Sequence, residues 1–124
     1  MKQFEISVNN RPGEIAKVTD ILASNGINIM AIASERCEKP IIRIVTDDDQ
    51  STRSALSKAN MKFKEHEMTV LELTDRPGEL TKIAKKLAKS GINVESIHIL
   101  GKGSKTTSVA LVTDNHEKTS EILH

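Results

Sequence analysis

The apolar positions in the first half of the chain change spacing several times, and each change marks an element. Phe4, Ile6 and Val8 alternate with polar Glu5 and Ser7, the two-residue period of a strand with one buried face. At Ile15, Val18, Ile21 and Leu22 the spacing becomes helical. Pro12-Gly13-Glu14 opens that helix and Gly26 stops it: proline suits the first helical position, and a first-turn glutamate favours the positive end of the helix dipole. Ile27 to Ala33 predicts a second strand and Pro40 to Thr46 a third. Asp49 to Asn60, carrying Ala55, Leu56 and Ala59, reads as a short second helix. Met61, Phe63 and Glu65 alternate with Lys62 and Lys64, which predicts a fourth strand with a wet face.

The pattern then begins again. Thr69, Leu71 and Leu73 start a strand; Leu80, Ile83 and Leu87 mark a helix that stops at Gly91. Strands at about 92–100 and 106–113 follow, then a short helix from Asn115. Residues 11–29 (RPGEIAKVTDILASNGINI) and 76–94 (RPGELTKIAKKLAKSGINV) align without a gap at an offset of 65, with 10 identities in 19 positions. Ile44-Val45-Thr46-Asp47 matches Leu111-Val112-Thr113-Asp114 at an offset of 67. Two residues are therefore inserted between, most naturally in Gly101-Lys102-Gly103-Ser104-Lys105, read as a mobile hairpin turn.

The chain is thus two copies of a unit of roughly 60 residues, residues 1–66 and 67–124. Units of that size are marginal alone, so each is expected to lean on the other or on a second chain. The order βαββαβ predicts an α+β fold: two ferredoxin-like sandwiches in tandem, antiparallel sheets with helices on one face. The second repeat lacks its last strand, which leaves its first strand in need of a neighbour. Another chain covers that edge, or polar residues such as Glu72 blunt it.

Composition narrows the function. A chain of 124 residues is too short for a large multi-domain enzyme. With 18 Lys+Arg against 17 Asp+Glu, net +1, it is not built to coat nucleic acid or an anionic membrane. One cysteine, Cys37, excludes an internal disulfide and a Cys-based zinc site and fits a reducing compartment. Without a basic-then-apolar leader at Met1 or an apolar run of about 18 residues, the expected location is cytoplasmic. Phe4 and Phe63 are the only aromatics, too few for an RNA-stacking sheet.

Asn10-Arg11-Pro12-Gly13-Glu14 with Gly26-Ile27-Asn28, and Asp75-Arg76-Pro77-Gly78-Glu79 with Gly91-Ile92-Asn93, resemble the ACT domain family twice over. The resemblance covers nearly the whole chain apart from the missing last strand. It implies a non-catalytic regulatory module that binds a small ligand, commonly an amino acid, and pairs through sheet edges. It further implies a site between the loop after the first strand of one unit and the start of the second strand of a neighbour. The ligand-binding candidates are then Asn10, Arg11, Gly13, Glu14 and Asn28, with Asp75, Arg76, Gly78, Glu79 and Asn93 in the second copy.

Elementary chemistry supports the location. A helix N-terminus offers unpaired N–H groups to a carboxylate. Gly13 and Gly78 lack a Cβ and allow close approach, Asp75 can pair with an ammonium, and Asn28 and Asn93 offer both donor and acceptor. The plain alternative is that Asn10 and Asp75 are ordinary helix caps and Gly-Ile-Asn an ordinary helix stop. Asn10 against Asp75 makes equal affinity at the two sites unexpected.

Other groups are weaker. His66, His98, His116 and His124 do not match a helical metal spacing, and no nucleophile–base–orienter set emerges. Cys37 beside Arg36 reads as an ordinary thiol. The glycine-lysine turn lacks the spacing of a phosphate loop, and Asp47-Asp48-Asp49 reads as a helix cap region. The expectation is therefore a regulator with no metal and no cofactor, an amino acid or similar metabolite as ligand, and a homodimer or higher assembly. A separate enzyme or regulator would be its target, with neither nucleic acid nor membrane as partner. The alternative is an association module that dimerises through sheet edges and binds no ligand.

Overall fold

A computed structural model describes residues 1–36 and 38–124; Cys37, and the reading of it as an ordinary thiol, lie outside the described residues. The chain forms two compact units, Met1–His66 and Glu67–His124.

The first unit runs β1 (Lys2–Ser7), α1 (Glu14–Ser24), β2 (Ile29–Glu35), β3 (Ile41–Thr46), α2 (Asp49–Lys58) and β4 (Phe63–Glu67, its last residue in the second unit). Its sheet has the order β2-β3-β1-β4. β3 pairs antiparallel with both neighbours, setting Phe4 and Ile32 opposite Ile44, and Ile6 opposite Ile42. That register puts the apolar half of each alternation on one face, where Val18 and Leu22 of α1 and Ala55 and Leu56 of α2 cover it. The two aromatic rings meet there, Phe4 and Phe63 at 5.8 Å between centroids.

The second unit repeats the plan as β5 (Thr69–Thr74), α3 (Glu79–Lys89), β6 (Val94–Lys102), β7 (Thr106–Thr113) and α4 (His116–Leu123). Its sheet has the order β5-β7-β6, so the position beside β5 that β4 fills in the first unit has no strand of this unit. Leu71, Leu87, Ile92, Val109 and Leu111 form its core. The inserted residues lengthen the hairpin: after a shift of register between Ile99 and Gly101, β6 continues through Lys102, opposite Thr107, and the Gly103 N–H donates to the Thr106 carbonyl at 2.8 Å.

Two local readings shift. Helices α1 and α3 begin at the glutamate, with Gly13 and Gly78 as N-caps, so Pro12 and Pro77 lie in the turn before the helix. The strand must reverse into the helix within a few residues, and the glycines do this with φ of 93° and 92°, which proline, fixed near −65°, cannot. Second, Ile15 and Leu80, counted in the apolar stripes, are 48% and 46% exposed. The stripe reaches the sheet only from the second turn onward.

The run Asp47-Asp48-Asp49 divides into three jobs. Asp48 caps α2, accepting from the Ser51 N–H at 3.0 Å and its hydroxyl at 2.6 Å. Asp49 accepts from the Lys2 N–H at 3.3 Å, tying the helix to β1. Asp47 faces the start of β2, as described below. On the next turn of α2, Arg53 donates in a fork to Glu65 of β4 at 2.6–3.0 Å.

Phe4→Ala should cost about 3–5 kcal/mol, because it removes a fully buried ring and its aromatic partner contact; urea denaturation midpoints check this. The Arg53 guanidinium holds Glu65 below the ordinary glutamate value of 4.5. A lowered folded value means stability that is present above 4.5 and fades as pH falls through the folded value. Glu65→Gln should therefore flatten the acid limb of stability against pH below about 4.5, with little change in its slope above pH 6.

Candidate functional site

β1 ends at Ser7, opposite Ile41 at the start of β3, and β2 ends at Glu35, also opposite Ile41. The loop from Val8 to Gly13 therefore rises beside the end of β2, and a cleft of about 370 Å³ opens between them, a volume that accommodates a small metabolite. The loop contributes Asn10, Arg11 and Gly13; Ile15 supplies the first turn of α1, and Glu35 and Arg36 stand at the end of β2. Sequence reasoning had missed Ile15 and Arg36 as lining residues. Only the two-residue insertion later in the second copy signalled that this end of the hairpin differs between repeats.

The loop is held from inside. Gly13 presents no side-chain cap. The buried Glu14 carboxylate instead turns back to accept the Asn9 N–H at 2.9 Å, and the Arg11 guanidinium lies 3.5 Å away. Glu14 thus borders the cleft with its charge already engaged by the loop, whereas the Asn10 side chain is exposed.

The second unit keeps the frame and changes the contacts. Gly78 has the conformation of Gly13. Glu79 takes Arg76 Nε at 2.5 Å and Lys82 Nζ at 3.2 Å, and these two cations hold it below the ordinary glutamate value. The longer hairpin reaches the loop: the Asp75 N–H donates to the Lys105 carbonyl at 2.9 Å, and Lys102 Nζ stands 3.8 Å from the Asp75 carboxylate. Asp75, read as a partner for a ligand ammonium, has an ammonium of its own chain beside it.

Asn28 and Asn93 stand apart from these loops. Asn28 N–H donates to Asp47 Oδ1 at 3.1 Å, and the Asp47 N–H donates back to the Asn28 carbonyl at 3.1 Å. Asn93 and Asp114 repeat the exchange at 3.0 and 3.1 Å. The first pair lies where Ile29 faces Thr46, five residues along β3 from Ile41, or about 16 Å at the rise of a strand; the second lies where Val94 faces Thr113. Within each unit the structure gathers the four loop residues and leaves the asparagine at the opposite end of the sheet, its side chain exposed and its backbone engaged. The role of Asp47 was legible in principle, since Asp47 and Asp114 recur at the offset of 67. Among the described residues no three His, Cys, Asp or Glu side chains gather as a metal site would require.

Strand order, paired βαββ units and glycine-headed helices are the frame of a known module, and the family model of the ACT domain pair matches residues 1–124. The chain belongs to the ACT domain pair family. A solved protein of Bacteroides thetaiotaomicron superposes with a TM-score of 0.87 at 24% identity, over 98% of this chain and 85% of that one. The regulatory subunit of aspartate kinase from Thermus thermophilus, in its ligand-free form, superposes at 0.68 with 20% identity, over 98% and 87%. Its counterpart from Thermus flavus gives 0.68 at 19%, over 98% and 87%. These likenesses establish the tandem ferredoxin-like fold. No curated protein matches the chain.

In this ACT domain pair a Cβ at Gly13 would meet nothing within 4 Å, so its constraint is purely conformational. Gly13→Ala should destabilise by about 1–2 kcal/mol through the positive φ alone. A lowered melting temperature with an unchanged far-ultraviolet circular dichroism spectrum is the expected readout.

Proposed function

We propose that this ACT domain pair is a cytoplasmic regulatory protein, without catalysis of its own, that binds an amino acid or similar small metabolite. Residues 1–66 and 67–124 are its two ACT-like repeats, the second lacking a last strand. The observation that carries the reading is the cleft beside Gly13, where a helix start, exposed Asn10 and Arg11 and an apolar wall at Ile15 converge. A carboxylate suits the unpaired N–H groups of the helix start and the guanidinium, an ammonium suits the asparagine carbonyl, and a side chain suits the apolar wall.

Because Asn28 lies at the far end of its own sheet, the opposing donor and acceptor come from a neighbouring unit, through Asn28 or Asn93. The same logic makes Asp75, Arg76, Gly78 and Glu79 a second, weaker site, since Lys102 already stands at Asp75. Regulation then follows from linkage. A ligand that binds one arrangement of units better favours any partner preferring that arrangement, by the same free energy. The use of this fold in an aspartate kinase regulatory subunit supports a separate enzyme or regulator as that partner.

A second reading, assembly without a ligand, rests on the edge strands: Met30 and Ile32 on β2, and Ile97 and Ile99 on β6, are exposed. Homodimerisation through these edges is compatible with both readings. Thermal denaturation against a panel of amino acids at millimolar concentration separates them. A ligand at 100 times its Kd should stabilise by about 2.7 kcal/mol, which raises the melting temperature by several degrees. Asn10→Ala and Asn28→Ala should shrink the shift while sedimentation shows the same mass. A panel that leaves the melting temperature unmoved would leave only the assembly reading.

A further inference from the structure

Two acidic and two basic side chains border the first cleft, but they are not equally available. Glu14 is buried, with Asn9 and Arg11 as its partners. Glu35 pairs with Arg43 of β3, a guanidinium that is itself only 18% exposed and also lies 3.9 Å from Glu5. Both carboxylates are thus spoken for by the protein. Arg11 shares its charge with Glu14 while remaining 64% exposed. Arg36 is exposed, lines the cleft and has no ion-pair partner among the described residues. The wall at the end of β2 therefore presents an uncompensated positive charge.

The second repeat differs at both relevant positions. By strand register Gly101, opposite Ser108, takes the place of Glu35, opposite Ile41, so Lys102 follows where the first copy has Arg36; Asp75 stands where it has Asn10. There the lysine stands 3.8 Å from the Asp75 carboxylate and its charge is shared, whereas that of Arg36 is not.

We propose that the first cleft selects an amino acid with a second acidic group, and that Arg36 is the residue that sets this preference; this rests on the ligand-binding reading above. One carboxylate of such a ligand meets the helix start beside Gly13 and the other meets Arg36. A basic ligand would bring its second cation against Arg11 and Arg36, while an amide would offer Arg36 only a neutral acceptor. Hydrogen bonds between ionised partners exceed neutral ones by roughly a factor of ten in affinity.

Calorimetric titration of the full chain with L-aspartate, L-glutamate, L-asparagine, L-glutamine, L-lysine and L-leucine tests this. The acids are expected to bind about ten-fold tighter than their amides, with an advantage that narrows as salt is raised. Arg36→Gln, an exposed substitution, is expected to bring the acid-to-amide ratio close to one. Amides or lysine binding as tightly as the acids would overturn the proposal and leave the ligand-binding reading standing. An acid preference that persists in Arg36→Gln would overturn the role of Arg36. If none of the six binds, the ligand-binding reading fails and this proposal with it.

Discussion

The architecture turns on one backbone constraint, the left-handed glycine between the first strand and the first helix of each unit. At φ near 93° the chain reverses in one residue, so the helix begins at the rim of the sheet and its first turn overhangs the end of β2. A residue with a Cβ would favour a longer or wider turn. At the observed φ the strain would fall on the loop that Glu14 pins through Asn9. The cleft is a consequence of that turn and of the exposed Ile15 that the overhang leaves behind. It is not a hole left by imperfect packing, since the core beneath, from Val18 inward, is closed.

The two copies show which contacts duplication preserved and which it released. Preserved are the glycine turn, the exchange between Asn28 and Asp47 or Asn93 and Asp114, and the hydroxyl pair Thr46–Thr52, repeated as Thr113–Thr119 at 2.7 and 2.8 Å. These tie the start of the second strand and of the second helix of each unit to the sheet. Released are the charges around the loop: Glu14 braces a backbone amide, whereas Glu79 gathers Arg76 and Lys82. The hairpin that grew by two residues brought Lys102 to Asp75. Contacts that hold the backbone stayed and solvent-facing ones drifted.

The same division explains what the sequence disclosed. Elements, strand order and the core were legible because alternation at Phe4 and Ile6, and helical spacing at Val18 and Leu22, report burial directly. The strandless position beside β5 was legible because the repeat supplies its own template. What stayed hidden depends on contacts between residues distant in sequence. Nothing local says that Asp47 would hold Asn28, that Glu35 would be neutralised by Arg43 while its neighbour Arg36 is not, or that Lys102 would meet Asp75. Proline before glycine misled for a related reason: it marks the approach to the helix, and the reversal at Gly13 sets the start at Glu14, two residues later than a first-position proline would.

Energetic scale favours small paired units of this kind as sensors. Stability of roughly 0.05–0.15 kcal/mol per residue gives a unit of about 60 residues only some 3–9 kcal/mol. Binding at 100 times Kd adds about 2.7 kcal/mol, a large fraction of that. On the proposed function, a ligand seated at the loop would therefore add an energy comparable to the stability of the unit that holds it. In a domain with a large core the same binding energy would be a minor correction, and the arrangement would answer less to the metabolite. The edge of β5, with no strand of its own unit beside it, and the exposed side chains of β2 and β6 belong to the same logic. On the proposed function, surfaces left incomplete in each unit are where a few kcal/mol from a small ligand would decide between arrangements.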